Sequence, residues 1–299
     1  MTLAVFGSVG NDDITTPSGS VTGVVGGSSI YFSLAASLFA KVRLAANVGG
    51  DFPELGWQAL RQRDIDLEGL QVFSEQKTFH WKGSYSGSMN EAVTHQTDLN
   101  VLTEPPFIPD SYKNSPFLFL ANTDPKTQIL IKKSFSKAFT FADTMNLWID
   151  TALDEVKLLL KEIDGLVLND AEAQMLTQEK NLILAGHKLC SMGPKFVVIK
   201  KGEHGSILFS GSDCYGLPAF PVEKVVDPTG AGDSFAGGMM GALAADGQVS
   251  AKTLHKAMAF GTVCASFTVE DFSINRLKEV TYEEILSRYQ KFKEFLLPD

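Results

Sequence analysis

Short apolar runs alternate with longer segments of helical periodicity along most of the chain. Runs of Val, Leu, Phe and Ile with few charges predict strands that are buried on both faces. They lie at residues 3–8, 42–48, 117–121, 139–143, 165–168 and 195–199. Segments with helical periodicity lie at residues 28–39, 55–63, 126–135, 153–163, 171–177, 233–245, 251–267 and 282–295. This alternation predicts an α/β fold with a mostly parallel central sheet and helices on both faces.

Two stretches, roughly residues 13–25 and 70–102, follow a different pattern. They are rich in Thr, Ser and Gly, and Phe79, Trp81 and Tyr85 alternate with other positions in the second stretch. This pattern predicts exposed antiparallel strands, which form either a small second sheet or surface hairpins without a functional role. The chain contains no repeat, low-complexity tract or obvious linker, so we expect residues 1–299 to form a single domain.

The charge and the cysteine content restrict the classes of function. A formal net charge of −9 argues against a broad nucleic-acid surface, which requires clustered Lys and Arg. Three cysteines without CxxC or Cys/His spacing support neither a disulfide framework nor a zinc site and favour a reducing compartment. No apolar run approaches the ~18 residues that span a bilayer, and the first residues lack the basic start of a signal peptide. We therefore expect a cytoplasmic protein that binds neither nucleic acid nor membranes.

The segment at residues 225–238 carries most of the chemical information. It passes from an apparent strand into a helix, and Gly230, Ala231 and Gly232 place almost no side chain at the helix start. Amides at a helix N-terminus are unpaired and favour anions such as phosphate. Asp233 adds a carboxylate that can take the proton of a hydroxyl as it attacks a phosphoryl group. The helix N-terminus should keep Asp233 ionised and weakly basic, and the alternative is that Asp233 only complements the helix dipole.

The longer run around these residues resembles the C-terminal signature of the ribokinase, or PfkB, carbohydrate kinase family. The matching positions are Asp227, Thr229, Gly230, Ala231, Gly232, Asp233, Phe235, Gly237 and Gly238. The resemblance implies a ribokinase-like fold with a β lid over the substrate. It implies Asp233 as the catalytic base and residues 230–232 as the anion hole for the transferred phosphoryl group. It also implies a monovalent cation such as K⁺ near Asp227 and Thr229, with further ligands from residues 266–273.

Other segments match the same family in the expected order. Gly26 and Gly27, before a predicted helix, resemble the N-terminal signature, in which a glycine pair lets the backbone approach the sugar. Asp12 resembles the acidic residue that binds sugar hydroxyls, with Asp13 as the alternative. Asn169 and Glu172 resemble the NxxE motif, which is associated with Mg²⁺ and phosphate, whereas a simple capping box is the other interpretation.

Two further positions resemble the nucleotide side of the family's site. The run at residues 201–205 resembles a GxxG turn beneath the nucleotide, which implies contacts to ATP from Lys201, Gly202 and Gly205. A plain β-hairpin turn would show the same local pattern. Thr262 lies on a predicted helix where family members line the adenine pocket.

Departures from the family pattern bear on the acceptor. Tyr31 occupies a position where many members have a substrate-binding Asn, and it offers an aromatic face and one hydroxyl. Trp148 replaces an Arg found in some members, so an anionic sugar loses a bidentate partner. We therefore expect a neutral sugar, polyol, cyclitol or nucleoside, with Asn122 at a strand end as a further ligand of its hydroxyl groups.

Together these features predict an ATP-dependent kinase that uses Mg²⁺ and phosphorylates a hydroxyl of a sugar-like small molecule. A non-catalytic nucleotide or sugar sensor on the same fold is the alternative, although the intact GAGD run favours an enzyme. The chain has neither the GxGxxG fingerprint at this turn nor a GxxxxGK[ST] motif, which argues against a Rossmann oxidoreductase and an ordinary P-loop NTPase. The resemblance also implies a homodimer formed through the β lid.

Overall fold

A nine-stranded sheet forms the centre of the molecule, and the computed structural model describes residues 1–297 of the chain. The strands of this part, in chain order, are β1 (Thr2–Phe6), β2 (Gly10–Thr16), β3 (Gly19–Gly26), β4 (Lys41–Gly49), β5 (Asp66–Phe73), β6 (Phe79–Tyr85), β7 (Ala92–Asp98), β8 (Phe117–Leu120), β9 (Phe139–Asp143), β10 (Gly165–Asn169), β11 (Phe196–Lys200), β12 (Ser206–Ser210) and β13 (Asp213–Leu217). The central order is β13-β12-β11-β10-β9-β8-β1-β4-β5. Its pairings are parallel except for the two that involve β12, which are antiparallel.

All six strands predicted for this sheet are present, with ends that differ by at most two residues. Three further strands, β5, β12 and β13, extend its two edges. Edge strands carry more polar and exposed positions than central ones, and β13 has only one buried residue among five. The rule of continuous apolar runs therefore does not detect β5 and β13, and it does not detect β12 because the apolar run inside that strand is only three residues long.

The second sheet has four strands in the order β3-β2-β6-β7. The β2–β3 and β6–β7 pairs are antiparallel, as expected, but β2 and β6 pair in parallel. The expected boundaries also change, because this sheet begins at Gly10 and residues 70–73 belong to β5 of the central sheet. We call these four strands the lid.

Helices cover both faces of the central sheet. They are α1 (Ser28–Ala36), α2 (Glu54–Gln62), α3 (Pro125–Ser134), α4 (Asn146–Thr151), α5 (Leu153–Leu160), α6 (Asp170–Thr177), α7 (Leu182–Ser191), α8 (Ala231–Asp246), α9 (Ala251–Thr268) and α10 (Tyr282–Leu296). The eight predicted helices are present, and α4 and α7 were not predicted. None of the helices between residues 1 and 297 combines the length and the apolar character needed to cross a bilayer.

Strand β1 shows how the two faces are filled. Leu3 and Val5 join an apolar cluster with α1, α2, α8, α9 and α10, whereas Ala4 and Phe6 join a second cluster with α3 to α7. Successive strand residues point to opposite faces, so a strand covered on both sides must be apolar at every position. The predicted α/β fold with helices on both faces of a mostly parallel sheet is confirmed.

Candidate active site

Three neighbouring parallel strands end in polar side chains at one edge of the central sheet. Asp143 ends β9, Asn169 ends β10 and Lys200 ends β11, and Asn169 is in register with Lys200. Nζ of Lys200 lies 3.4 Å from Oδ2 of Asp143. Ligands of open α/β sheets bind outside this carboxyl edge. The strand order therefore brings together groups that are far apart in the sequence.

Helix α8 begins where the sequence predicts an anion site. Gly230 precedes the helix with φ of +75°, a left-handed conformation that glycine adopts without steric cost. A Cβ atom at this position would lie 2.3 Å from Cγ of Tyr31, so the close approach of this ring also requires glycine. The residues before the helix form a loop rather than the expected strand, and the Val226 amide donates to the Val269 carbonyl at 2.8 Å.

The three amides of the expected anion hole are not equivalent. The amide of Ala231 donates to the Pro228 carbonyl at 3.1 Å, which corrects the expectation that all three are unpaired. Within residues 1–297 the amides of Gly230 and Gly232 have no backbone acceptor. Gly232 is in the first turn of α8, where amides have no partner in the preceding turn. An anion can therefore be bound by Gly230 and Gly232, with Ala231 shaping the wall.

Asp233 lies in the first turn of α8 and is partly buried. Its burial, together with the nearby carboxylate of Asp143, raises the pKa of Asp233 to about 7, although Lys200 opposes this shift. This reverses the expectation that the helix N-terminus keeps Asp233 weakly basic, because desolvation outweighs the helix dipole here. A carboxylate with a pKa near neutrality is suited to accept a proton during catalysis.

Lys200 and Asp143 were not predicted as functional residues. The side chain of Lys200 is 18% exposed and that of Asp143 is 7% exposed. Burial alone lowers the pKa of Lys200, but Asp143 and the other nearby carboxylates outweigh it and raise the pKa. Burial raises the pKa of Asp143, and Lys200 opposes that shift. The one sequence signal for this pair is a charged residue at the carboxyl end of each of two apolar strands.

Asn169 and Glu172 form a capping box at the start of α6. The Glu172 amide donates to Oδ1 of Asn169, and the Asn169 amide donates to Oε2 of Glu172, both at 2.8 Å. The capping interpretation is therefore correct, but it does not exclude an additional role. Burial and the charge of Asp143 raise the pKa of Glu172 to about 7. Such a carboxylate is stabilised by a cation, and these oxygen ligands fit Mg²⁺.

The acceptor side of the site is formed by β2, β3 and α1. Asp12 on β2 is 3% exposed, and a Cβ atom at Gly26 would lie 1.9 Å from its Oδ2. Gly26 therefore makes room for this carboxylate, rather than only for a ligand. Gly27, with φ of +94°, lies against the backbone of residues 8–10 and starts α1. Burial, assisted by the carboxylates of Asp227 and Asp233, raises the pKa of Asp12 to about 8.

Among the buried polar atoms of β2 and α1 that have no hydrogen-bond partner within residues 1–297, two belong to residues predicted to bind the acceptor. They are Oδ1 of Asp12 and the hydroxyl of Tyr31, which is only 1% exposed. An unpaired buried polar group costs free energy, so a ligand hydroxyl that bonded to either would be favoured. The alternative acid, Asp13, accepts from the Gly23 amide at 2.8 Å and lies 3.5 Å from His80, so it is engaged within the lid.

Asn122 uses both ends of its amide within the protein. Its Oδ1 accepts from Nε1 of Trp148 at 2.9 Å, and its Nδ2 lies 2.9 Å from Sδ of Met145. The predicted contact of Asn122 with the acceptor would require one of these bonds to be exchanged. In this structure Asn122 instead fixes the indole of Trp148 at the edge of the sheet.

A cavity of about 590 Å³ lies beside the start of α8. Gly202, Gly205 and Thr262, three of the residues predicted to contact ATP, line its wall together with Lys200 and Phe235. Lys201 does not line it, and its amide donates to the Gly205 carbonyl at 2.7 Å. The lining of this cavity therefore does not support the predicted contact of Lys201 with ATP, whereas Lys200, the last residue of β11, reaches the cavity.

The tip of the β6–β7 hairpin closes the other side of this cavity. Ser88, Met89 and Asn90 contribute to its lining, and Nδ2 of Asn90 donates to Oε1 of Glu203 at 3.3 Å. A Cβ atom at Gly202 would lie 2.3 Å from Oδ1 of Asn90. The lid therefore contacts the GxxG turn as well as the acceptor side, where it supplies Asp12.

Asp227 connects the loop before α8 to the loop after α9. Its Oδ1 accepts from the Thr229 amide at 2.9 Å, and its Oδ2 accepts from the Ser273 amide at 3.1 Å. The hydroxyl of Thr229 lies 3.4 Å from that of Tyr85 on the lid. The structure thus brings residues 227–229 next to the 266–273 loop. Within residues 1–297 no three His, Cys, Asp or Glu side chains converge to hold a metal ion.

Comparison with known proteins identifies the family. The model of the pfkB family carbohydrate kinases matches residues 18–279. The cytidine kinase of Thermococcus kodakarensis is 31% identical over 246 residues, which cover 80% of this chain and 87% of that enzyme. The crystal structure of the nucleoside kinase of Methanocaldococcus jannaschii superposes with a TM-score of 0.78 at 20% identity, covering 97% of this chain and 98% of that one. A putative ribokinase II of E. coli in complex with ATP and Mg²⁺ also gives a TM-score of 0.78, at 16% identity, covering 97% and 99%.

These findings confirm the ribokinase-like fold, in which the second sheet packs beside the carboxyl edge of the first. They also confirm the predicted class of activity, an ATP-dependent kinase that acts on an alcohol group of a sugar or nucleoside. The chain belongs to the pfkB family of carbohydrate kinases.

Proposed function

We propose that this kinase transfers the γ-phosphoryl group of ATP to a hydroxyl group of a nucleoside. The observation that carries the proposal is the pair of unpaired buried polar atoms on Asp12 and Tyr31, close to Gly230 and Asp233. These atoms fit the hydroxyl groups of a ribose-like ring. A cytidine kinase and a nucleoside kinase are among the proteins that this chain resembles, which supports a nucleoside over a free sugar.

The groups around the acceptor favour an uncharged molecule. Asp12, Asp227 and Asp233 place acidic rather than basic groups around the acceptor, which favours an uncharged acceptor over an anionic one such as a sugar phosphate. At the neighbouring edge, Trp148 donates to Asn122 and offers an aromatic surface rather than a cationic group. An aromatic surface can stack against a nucleobase, whereas it gives a small sugar phosphate no ionic partner.

Asp233 is the group that acts on the acceptor hydroxyl. With a pKa raised to about 7, its carboxylate is a stronger base than an ordinary Asp and can take the hydroxyl proton as the oxygen attacks phosphorus. The free amides of Gly230 and Gly232 lie at the start of the same helix and stabilise the charge of the transferred group. Because these groups share one helical turn, their relative positions are fixed before substrate binds.

ATP fits the cavity beside α8, with its adenine toward Thr262 and its phosphates toward Gly232. Mg²⁺ would be held by Asn169 and Glu172 through water, since both side chains already fix each other's orientation at the start of α6. When bound, this ion neutralises charge on the phosphates. Closure of the lid over the cavity excludes water, which would otherwise accept the phosphoryl group.

Two further parts of the proposal concern a cation and an oligomer. Asp227 is completely buried, and burial raises its pKa, so a K⁺ ion beside Asp227 and Thr229 would compensate its charge. The lid supports a homodimer because its edge strands β3 and β7 are largely exposed, with Val93 56% exposed. A monomer mass in light scattering at micromolar concentration would contradict the dimer.

The function is tested by measuring phosphorylated product and ADP with a panel of nucleosides, free sugars and sugar phosphates. We expect turnover with at least one nucleoside and a lower kcat/KM for fructose and ribose. Asp233→Asn should reduce kcat by about 10²–10⁴-fold while leaving nucleotide binding nearly unchanged. Asp246→Asn is the matched control, because Asp246 is exposed at the other end of α8. Turnover of sugars alone would refute the nucleoside assignment, and an active D233N variant would refute the role of the base.

A further inference from the structure

Lys200 is positioned beside the expected site of the transferred phosphoryl group. It ends β11 and lines the cavity next to α8. A Cβ atom added at Gly232 would lie only 2.9 Å from Nζ of Lys200. The ammonium group is therefore adjacent to the first turn of α8, whose free amides can bind a phosphate.

The charge of this ammonium is only partly compensated by direct contacts. Within residues 1–297, Nζ of Lys200 donates one hydrogen bond, to Oδ2 of Asp143 at 3.4 Å. An ammonium carries three donors, and this contact is long for a charge-assisted hydrogen bond, which is ordinarily 2.7–2.9 Å. Among the described residues that line the cavity, Lys200 is the one Lys or Arg.

Three carboxylates lie near the ammonium group of Lys200. Asp143, Glu172 and Asp233 all influence the ionisation of Lys200, so three acidic groups lie around one ammonium group. A nucleotide phosphate adds further negative charge at this point. Without a cation from the protein, the terminal phosphate would face acidic side chains that repel it.

We propose that Lys200 binds the γ-phosphate of ATP, and that Asp143 holds its ammonium group in position until the nucleotide arrives. The inference rests on the proposed function. During transfer, the acceptor oxygen forms a bond to the γ-phosphorus, and the bond from this phosphorus to the β–γ bridging oxygen breaks, leaving its electron pair on ADP. The hydroxyl proton passes to Asp233. Lys200 keeps its proton throughout and stabilises negative charge on the phosphoryl oxygens.

The distinguishing readout is the binding of two nucleotides that differ by the γ-phosphate. Isothermal titration calorimetry would compare ADP with the β,γ-imido analogue of ATP, each with Mg²⁺, in the full-length protein. Lys200→Met should weaken binding of the imido analogue by about 10- to 100-fold, the range expected for a charge-assisted hydrogen bond. Binding of ADP should change by less than threefold. Lys200→Arg should restore part of the difference.

Lys195→Met provides the matched control. Lys195 directly precedes the same strand at its opposite end, and its side chain is 75% exposed. We expect it to bind both nucleotides as the wild type does. Because K200M leaves the carboxylate of Asp143 buried without its partner, the double variant K200M/D143N guards against misfolding. It should fold and show the same selective loss.

The outcomes separate this inference from the proposed function. If K200M weakens ADP and the imido analogue equally, or weakens neither, Lys200 does not bind the γ-phosphate and the inference is overturned. If the wild type binds both nucleotides with the expected dependence on Lys200 but phosphorylates no nucleoside, the acceptor assignment fails and the inference is supported. If the wild type binds no nucleotide, both are refuted.

Discussion

Lowering the pH from 8.5 to 5.5 should remove most of the activity of this enzyme. The pKa of Asp233 is raised to about 7 by burial and by Asp143. The ionised base should therefore fall from nearly all of the molecules to about 3%, a loss of about 30-fold. An ordinary Asp, with a pKa of 3.8, would remain almost fully ionised over the whole range. The size of the loss thus reports the environment of this carboxyl group.

The assay is kcat/KM for MgATP at saturating nucleoside, measured by chromatography of ADP and phosphorylated product. This ratio reports ionisations of the enzyme before the nucleotide binds. Glu172 also has a pKa raised to about 7, so Glu172→Gln is the necessary control. It should retain an acid limb with a slope of one. A flat wild-type profile, or a limb that disappears in E172Q, would refute the assignment to Asp233.

Two neighbours of Asp233 should move this limb in opposite directions. Asp143 raises the pKa of Asp233, so D143N should shift the limb to lower pH. Lys200 lowers that pKa, so K200M should shift the limb to higher pH.

Unfolding caused by protonation of these carboxyl groups with raised pKa cannot explain a loss of activity at low pH. A carboxyl whose folded pKa lies above its unfolded value is stabilising when protonated, and this stability is lost as the pH rises through the folded pKa.

Three other results are expected. The pKa of Asp12 is about 8 in the folded protein against an ordinary 3.8, so D12N should increase the free energy of unfolding by about 4 kcal/mol more at pH 9 than at pH 5. An equal change in the free energy of unfolding at pH 5 and pH 9, measured by chemical denaturation, would contradict this. Binding of the acceptor by D12N should be lost at both pH values. Gly230→Ala should lower the free energy of unfolding by about 2–4 kcal/mol. The new methyl group would overlap with the ring of Tyr31, and alanine disfavours the φ of +75° at this position. The control Gly211→Ala, with φ of +61° and open space, should lose about 1–2 kcal/mol with unchanged kcat, and equal losses in the two variants would exclude a contribution from the ring. Replacing K⁺ by tetramethylammonium at constant ionic strength should lower activity if a cation neutralises Asp227, and identical rates would argue against that site.

The sequence predicts the local elements of this site better than it predicts which of them lie next to one another in the fold. The N-terminus of α8 and the capping box at Asn169 depend on residues close together in the chain, so composition and spacing indicate both. The pairing of Asp143 with Lys200 depends on strand order, because the two residues are 57 positions apart and become neighbours only in the sheet. A pattern read along one strand contains no information about which strand lies beside it.

Errors within the motifs have similar physical causes. Lys201 adjoins the GxxG turn and is therefore predicted to contact ATP, whereas Lys200, the last residue of β11, is the lysine that lines the cavity. The amide of Ala231 was expected to be free, but the turn that starts α8 bonds it to Pro228. The sequence predicts a weakly basic Asp233 because a helix N-terminus is visible in it, whereas the burial beside Asp143 that raises the pKa is a property of the folded molecule.

The lid contacts both the acceptor side and the nucleotide side of the site. Its β2 strand supplies Asp12, and the tip of its β6–β7 hairpin reaches Glu203 through Asn90. A rotation of this sheet as one body would withdraw the acid from the acceptor and the tip from the nucleotide turn in a single movement. Departure of phosphorylated product and of ADP would then be synchronised, and neither could be replaced by fresh ligand while the other remained clamped.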